Sequence, residues 1–223
     1  MIFFMENEIM VSIVCNAYNH EKFIGKALQG FVMQKTNFKF EILIHDDAST
    51  DGTADIIRKY EEKYPDIVKP IYQTENQYSK KIGILKNYQY PRAKGKYIAL
   101  CEGDDHWINE NKLQKQIDFM EKNENCVMTC HNSKKINYIT GEEKIENPIA
   151  KTGYATAEDI LVDKPGYWIA TASIVYRKSI RENYPDFFSL PPVGDMPLRW
   201  YCFAIGDVYY FEDVMSVYNY KTP

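Results

Sequence analysis

An α/β fold with a mostly parallel central sheet is predicted by three features of this sequence. Apolar runs stop abruptly at polar residues, amphipathic helical patterns lie between the runs, and carboxylates gather where the runs stop. Apolar runs bounded by turn residues fit strands covered on both faces, and their alternation with helices implies βαβ units joined by right-handed crossovers. In open sheets of this kind, ligands bind just beyond the carboxyl ends of the strands.

The elements follow in order. Met10-Val11-Ser12-Ile13-Val14-Cys15 is the first strand, ended by Asn16-Ala17-Tyr18-Asn19-His20. Phe23/Ile24, Ala27/Leu28 and Phe31/Val32 then recur at helical spacing and predict a helix laid on the sheet. Phe40 to His45 is a second strand, running into the turn-rich Asp46-Asp47-Ala48-Ser49-Thr50-Asp51-Gly52-Thr53. The second helix carries Ala54, Ile56, Ile57 and Tyr60 and stops at Pro65, and Val68 to Tyr72 is a short third strand. A polar connector with a helix around Leu85 to Tyr90 leads to the strand Tyr97 to Cys101, which breaks off into Glu102-Gly103-Asp104-Asp105. Leu113, Gln116/Ile117 and Met120 mark another helix over Lys112 to Lys122.

From Cys126 the character changes. Val127 to Cys130, Ile136 to Ile139 and Tyr167 to Tyr176 read as strands, and a capping Thr156 opens a short helix to Val162. Asp195-Met196-Pro197 starts another helix that ends before Gly206, and Val208 to Tyr220 is a final extended run. The shift near residue 125 marks a subregion, so one domain is expected over 1–223, with parts 1–125 and 126–223.

Composition excludes several classes of function. With 45% apolar and 26% charged residues the chain is an ordinary globular one, and its net charge of −4 argues against a nucleic-acid partner held by phosphate contacts. The 18 tyrosines offer faces and hydroxyls for bases or sugars as well as for packing. Cys15, Cys101, Cys126, Cys130 and Cys202 form no paired framework and sit mostly in apolar runs, which predicts reduced, buried thiols and a cytoplasmic setting. Cys126, Cys130 and His131 lack a second pair to complete a zinc site and read as strand residues. The opening MIFFMENEIM is too short and lacks the basic flank of a signal peptide, and no stretch reaches membrane-spanning length. Membrane association would have to come from a partner or from sequence outside this chain.

Three acidic groups end different elements: Asp46-Asp47, Glu102-Gly103-Asp104-Asp105 and Asp195. Each alone has a structural explanation, as a turn cap, a solvated turn or an N-cap. The first two, however, follow strands of one parallel sheet and must meet on one edge, together with Asn16 and Tyr18. Clustered carboxylates repel unless a cation or a shared proton relieves them, and hard oxygen ligands suit Mg²⁺ or Mn²⁺.

Ser12 to Asn19, Asp46 to Thr53, Gly95 to Trp107 and Gly194 to Leu198 together resemble the successive motifs of the family 2 inverting glycosyltransferases with the GT-A fold. The resemblance covers nearly the whole chain and is of the bacterial cell-surface polysaccharide type. It implies that 1–125 binds the nucleotide sugar and that 126–223 is the acceptor side. Asn16 and Tyr18 match positions lining the base pocket, and Asp47, with Asp46 beside it, matches the acid that bonds the base or ribose. Arg92 is expected near the base or diphosphate. Glu102-Gly103-Asp104 stands at the family's D-x-D signature. Asp104 would face the ribose and sugar and Asp105 the metal (Mn²⁺ or Mg²⁺), with Glu102 supporting. Asp195 matches the general base. The donor implied is a nucleotide-diphosphate sugar, a UDP-sugar first, and the acceptor a saccharide or a lipid-linked one. A basic residue that helps hold the diphosphate near the family's C-terminus has no His counterpart in Tyr218 to Pro223. That contact is absent, replaced by Lys221, or lost with a truncated tail.

Other readings fit less well. Asn16 to His20 contains no glycine, against a dinucleotide fingerprint, and no G-x-x-x-x-G-K-[ST] occurs. An aspartyl phosphatase would want two acids separated by one residue at a strand end, which Asp46-Asp47-Ala48 does not supply. A non-catalytic nucleotide-sugar or glycan-binding module would not require Asp195. Trp107 is expected to anchor the acid loop, and Trp168 and Trp200 to line an acceptor cleft or simply pack.

Overall fold

The computed structural model describes residues 8–146, 151–156, 158–159, 169–182, 184–185 and 195–221. One sheet runs through it in the order β3-β2-β1-β4-β9-β6-β10-β5, with β7 attached to β6 and β8 to β10. The first four strands in that order, β3 (Val68–Tyr72), β2 (Lys39–Asp46), β1 (Ile9–Ala17) and β4 (Tyr97–Leu100), are all parallel. β6 (Cys126–Asn137) and β10 (Asp207–Tyr220) form a second parallel pair. Antiparallel strands β9 (Val175–Arg177), β5 (His106–Trp107), β7 (Glu143–Glu146) and β8 (Gly153–Ala155) complete the mixed part of the sheet.

The alternation of side chains along each strand builds a core on either face. Val11, Ile13 and Cys15 of β1 point to the face covered by α1 (Ile24–Val32), α2 (Thr53–Lys63) and α3 (Lys112–Lys122). Val14 points to the other, with Leu43, Ile98 and Leu100, beneath α4 (Asp195–Ile205) and the segment around Tyr90. Ile24, Ala27, Leu28 and Phe31 of α1 are wholly buried, and each large side chain there contributes roughly 1.5–3 kcal/mol. The helix can come this close because residue 30 is glycine. A Cβ there would lie 2.7 Å from the Trp107 carbonyl oxygen and 2.9 Å from its nitrogen.

α3 is less ordinary than its apolar stripe suggests. Lys112 is fully buried, donating to Gln116 Oε1 at 2.8 Å and lying 4.1 Å above the Trp107 ring. Burial lowers its pKa to about 7. Gln116 in turn donates to Thr129 Oγ1 and the Ser173 carbonyl. All five cysteines are free and buried, Cys126 and Cys130 as β6 residues.

Three expectations are corrected. The two short strands expected from Val127 to Ile139 are one continuous strand, β6. Its polar middle finds partners on the strand and on β10: the Ser133 and Ser216 hydroxyls lie 2.8 Å apart and the Ser133 N–H bonds to Asn132 Oδ1. The helix expected at Leu85 is a π turn, Leu85–Gln89, followed by a 3₁₀ turn, Tyr90–Arg92. The strand expected up to Tyr176 is, where described, a 3₁₀ turn at Thr171–Ser173 before β9, because Ser173 Oγ bonds back to the Ala170 carbonyl and Trp107 Nε1 takes that of Ala172. The helix opened by Thr156 shows its cap: Thr156 Oγ1 accepts the Asp159 N–H while Asp159 Oδ2 accepts the Thr156 N–H. The rest of that helix, and Trp168, lie outside the described residues.

Candidate active site

The carboxyl ends of β1, β2 and β4 meet as the parallel register requires. Ala17 pairs with Asp46, and β4 continues past its end through Cys101 N–H to Val14 O (3.1 Å) and Gly103 N–H to Asn16 O (2.9 Å). Asn16, Asp46-Asp47 and the acid loop therefore share one edge. The β1–α1 and β2–α2 loops are zipped together above it. Asn19 N–H donates to Ser49 Oγ and Thr50 N–H to Asn19 Oδ1, while Asp51 Oδ2 accepts Glu21 N–H and Glu21 Oε2 accepts Gly52 N–H. Asn19 and Ala48 adopt left-handed φ values of 55° and 63°. Asn tolerates that region, whereas for Ala the strain is held by the surrounding bonds. Tyr18 extends from this loop, 46% exposed.

Asp46 is buried and its Oδ1 accepts the Ser49 hydroxyl at 2.5 Å, while burial raises its pKa. Asp47, also buried, accepts the backbone N–H groups of Gln77 (2.7 Å) and Tyr78 (3.0 Å), fixing the loop after β3 beside the edge. Arg92 departs from its expected role. It donates to the carbonyls of Lys69 and Ile44 and to Gln89 Oε1, so its guanidinium straps β2 and β3 together instead of facing the crevice. Burial lowers its pKa to about 10.

In the acid loop, burial alternates. Glu102 and Asp104 are half-buried and Asp105 is buried. Asp105 Oδ1 accepts the backbone N–H of Asn219 on β10 (2.9 Å), and Asn219 Nδ2 donates to the Asp104 carbonyl (2.5 Å). Burial, then the charge of Asp104, push the Asp105 pKa well above the carboxylate range, with Glu102 adding to the rise and the Asn219 N–H opposing it. Asp105, expected to face a metal, thus faces β10, and Asp104 with Glu102 is the pair nearer solvent. Gly103 is pressed so close that a Cβ would lie 2.8 Å from His20 Nδ1 and 3.1 Å from Asn16 O. That His20 nitrogen is buried without a hydrogen-bond partner among the described residues. Trp107 anchors the loop as expected, buried edge-to-face on Phe31 at 4.9 Å.

A divalent ion fits the donor chemistry here. The oxygens are hard, and after burial the charges of Asp104 and Glu102 add to the rise in the Asp105 pKa, a repulsion that a cation would reduce. Among the described residues no three His, Cys, Asp or Glu side chains stand ready as a complete cluster, so a diphosphate would have to supply further ligands. Asp195 is the first residue of α4, which packs into the second core through Leu198 and Cys202. The Asp195 side chain lies outside the described residues. Trp200 is 41% exposed on the same helix. No helix among the described residues is long and apolar enough to cross a membrane.

Sequence reasoning missed Gln89, Asn219 and His20. Each is a polar residue whose part depends on a distant element, and nothing in its local spacing marks it.

Sheet and edge together define a GT-A type glycosyltransferase domain. The chain belongs to glycosyl transferase family 2, whose model matches residues 12–183. An uncharacterized protein of Mycobacterium tuberculosis is 34% identical over 215 residues, which is 94% of this chain and 58% of the relative, so the chain spans about three-fifths of that protein. The Escherichia coli enzyme WfaP, named as a UDP-Glc:α-D-GlcNAc-diphosphoundecaprenol β-1,3-glucosyltransferase, is 38% identical over 112 residues, 50% of this chain and 41% of its own. The crystal structure of S. aureus TarS 1–349 in complex with UDP-GlcNAc superposes with a TM-score of 0.71 at 18% identity, covering 96% of this chain and 60% of that one. This likeness shows the shared fold.

Proposed function

We propose that this chain moves a sugar from a nucleotide-diphosphate donor, a UDP-sugar first, to a hydroxyl of a saccharide or lipid-linked acceptor, with inversion at the anomeric carbon. The observation that carries the reading is the convergence of Asn16, Asp46-Asp47 and the acid loop on one sheet edge. The names of WfaP and of the TarS complex support a uridine nucleotide and, for WfaP, a lipid-diphosphate acceptor.

The nucleoside lies against Tyr18 and the loop that Asp47 holds in place. Mn²⁺ or Mg²⁺, when bound, would neutralise charge developing on the diphosphate leaving group, as a Lewis acid. Asp104, with Glu102 beside it, would hold that ion. Asp105 acts behind them, fixed to Asn219, and keeps the loop seated. Asp195 takes the proton from the acceptor hydroxyl as general base, on the side of the anomeric carbon opposite the leaving group. A single in-line displacement inverts the configuration.

Calorimetry with UDP and Mn²⁺, followed by UDP release from UDP-sugars with candidate acceptors, tests this reading. Asp104→Ala is expected to lose metal-dependent UDP binding, and Asp195→Asn to keep binding while losing transfer. Wild-type turnover in Asp195→Asn would remove the base assignment.

A further inference from the structure

The carboxamide of Gln89 is completely buried at the end of the π turn, and every bond it makes has a fixed polarity. Arg92 directs Nε (3.1 Å) and Nη2 (2.7 Å) at one atom of it. A guanidinium only donates, so that atom is the oxygen and the nitrogen points the other way. There the nitrogen meets acceptors: Cys15 O at 2.9 Å, Leu43 O at 3.2 Å and Asn16 Oδ1 at 3.3 Å. Turning Gln89 over would set its oxygen against two strand carbonyls. Turning Asn16 over would set donor against donor. The Asn16 amide is therefore oriented as well, with Oδ1 toward Gln89 and Nδ2 away from it.

Asn16 is half-buried at the carboxyl end of β1, and its own carbonyl holds Gly103. Its amide thus stands between the nucleoside side of the edge and the acid loop, and among the described residues its Nδ2 has no hydrogen-bond partner. We propose that Asn16 Nδ2 donates to an acceptor oxygen of the bound nucleotide, that Gln89 is the positioning residue which aims it, and that Arg92 is the fixed end of this relay. The inference rests on the donor reading above. A π turn suits the task, because its widened hydrogen bonding offsets a side chain from the helical pattern, and such turns recur at functional sites.

Calorimetric titration with UDP plus Mn²⁺, and with uridine alone, tests it. Asn16→Leu keeps the number and branching of the side-chain heavy atoms and leaves Gln89 two carbonyl partners. It is expected to weaken UDP binding about 3- to 10-fold, the range of one lost hydrogen bond, without lowering the melting temperature. Gln89→Met is expected to weaken binding by a similar factor, and the double variant to bind no worse than Asn16→Leu alone, since both remove the same contact. A merely structural Gln89 would instead give losses that multiply. An equal loss for uridine places the acceptor oxygen on the nucleoside, and a loss confined to UDP places it on the diphosphate. Asn16→Leu binding UDP like the wild type overturns the inference while leaving the donor reading intact, and this variant decides the matter if Gln89→Met does not fold. A wild type that binds no uridine nucleotide overturns the donor reading, and this inference with it.

Discussion

Lys112 offers a quantitative test of the packing beneath the acid loop. Among the described residues its ammonium has one acceptor, Gln116 Oε1, and one aromatic face, Trp107, and burial lowers its pKa from an ordinary 10.5 to about 7. Cys101 is the titratable group that opposes this fall, and Lys112 in turn adds to burial in lowering the pKa of His131. Between the two pKa values the unfolded chain carries a proton that the folded chain has released, so stability rises with pH across this window. The penalty is fully present below about pH 7 and is relieved toward pH 10.5. From pH 7 to pH 8.5 the unfolding free energy of the wild type should gain about 1.5 kcal/mol relative to Lys112→Met, which has the same length and no charge. The interval stops there because thiols such as Cys15 and Cys101, whose pKa values burial raises, pull the other way at higher pH. Urea unfolding of both proteins at the two pH values measures the difference. Curves that shift in parallel would refute the claim that this ammonium is buried and only partly compensated.

Two further substitutions probe the edge. Asp47→Ala orphans the N–H groups of Gln77 and Tyr78 and should cost about 2–4 kcal/mol of stability, with faster proteolysis in the loop after β3; urea unfolding and limited digestion check both. Gly103→Ala places a methyl 2.8 Å from His20 Nδ1 and 3.1 Å from Asn16 O, so the His20 ring or the acid loop must shift. The expected result is a stability loss of about 1–3 kcal/mol together with weaker Mn²⁺-dependent UDP binding, read by thermal melts and calorimetry.

The parallel half was legible because its signals are local. The apolar run from Met10 to Cys15 is buried on both faces and could hardly be anything but an inner strand, and Val68 to Tyr72 and Lys112 to Lys122 fall where their patterns put them. The site was legible as a set of positions, because strands of one parallel sheet carry their ends to one edge. The orientation of its side chains was not. Asp105 and Asp104 are neighbours of identical chemistry, and only the arrival of Asn219 from β10 decides which is buried. The resemblance alone put Arg92 near the base or diphosphate, yet its donors meet the carbonyls of Lys69 and Ile44, a pairing fixed by tertiary packing. Asn132 and Ser133 read as a break in β6 since buried polar residues look like loop until their partners are known.

The clamp of Asn219 on Asp104 and Asp105 joins positions more than a hundred residues apart in the chain. Contacts of such long sequence separation form late in folding, after loop closure has been overcome. During synthesis the acid loop leaves the ribosome well before its clamp. A nascent chain halted ahead of β10 would hold the first parallel strands and the loop residues, but with Asp105 unseated. Competence to bind a nucleotide sugar would therefore wait until β10 zips along β6, and chains halted before β10 would compete little for the donor.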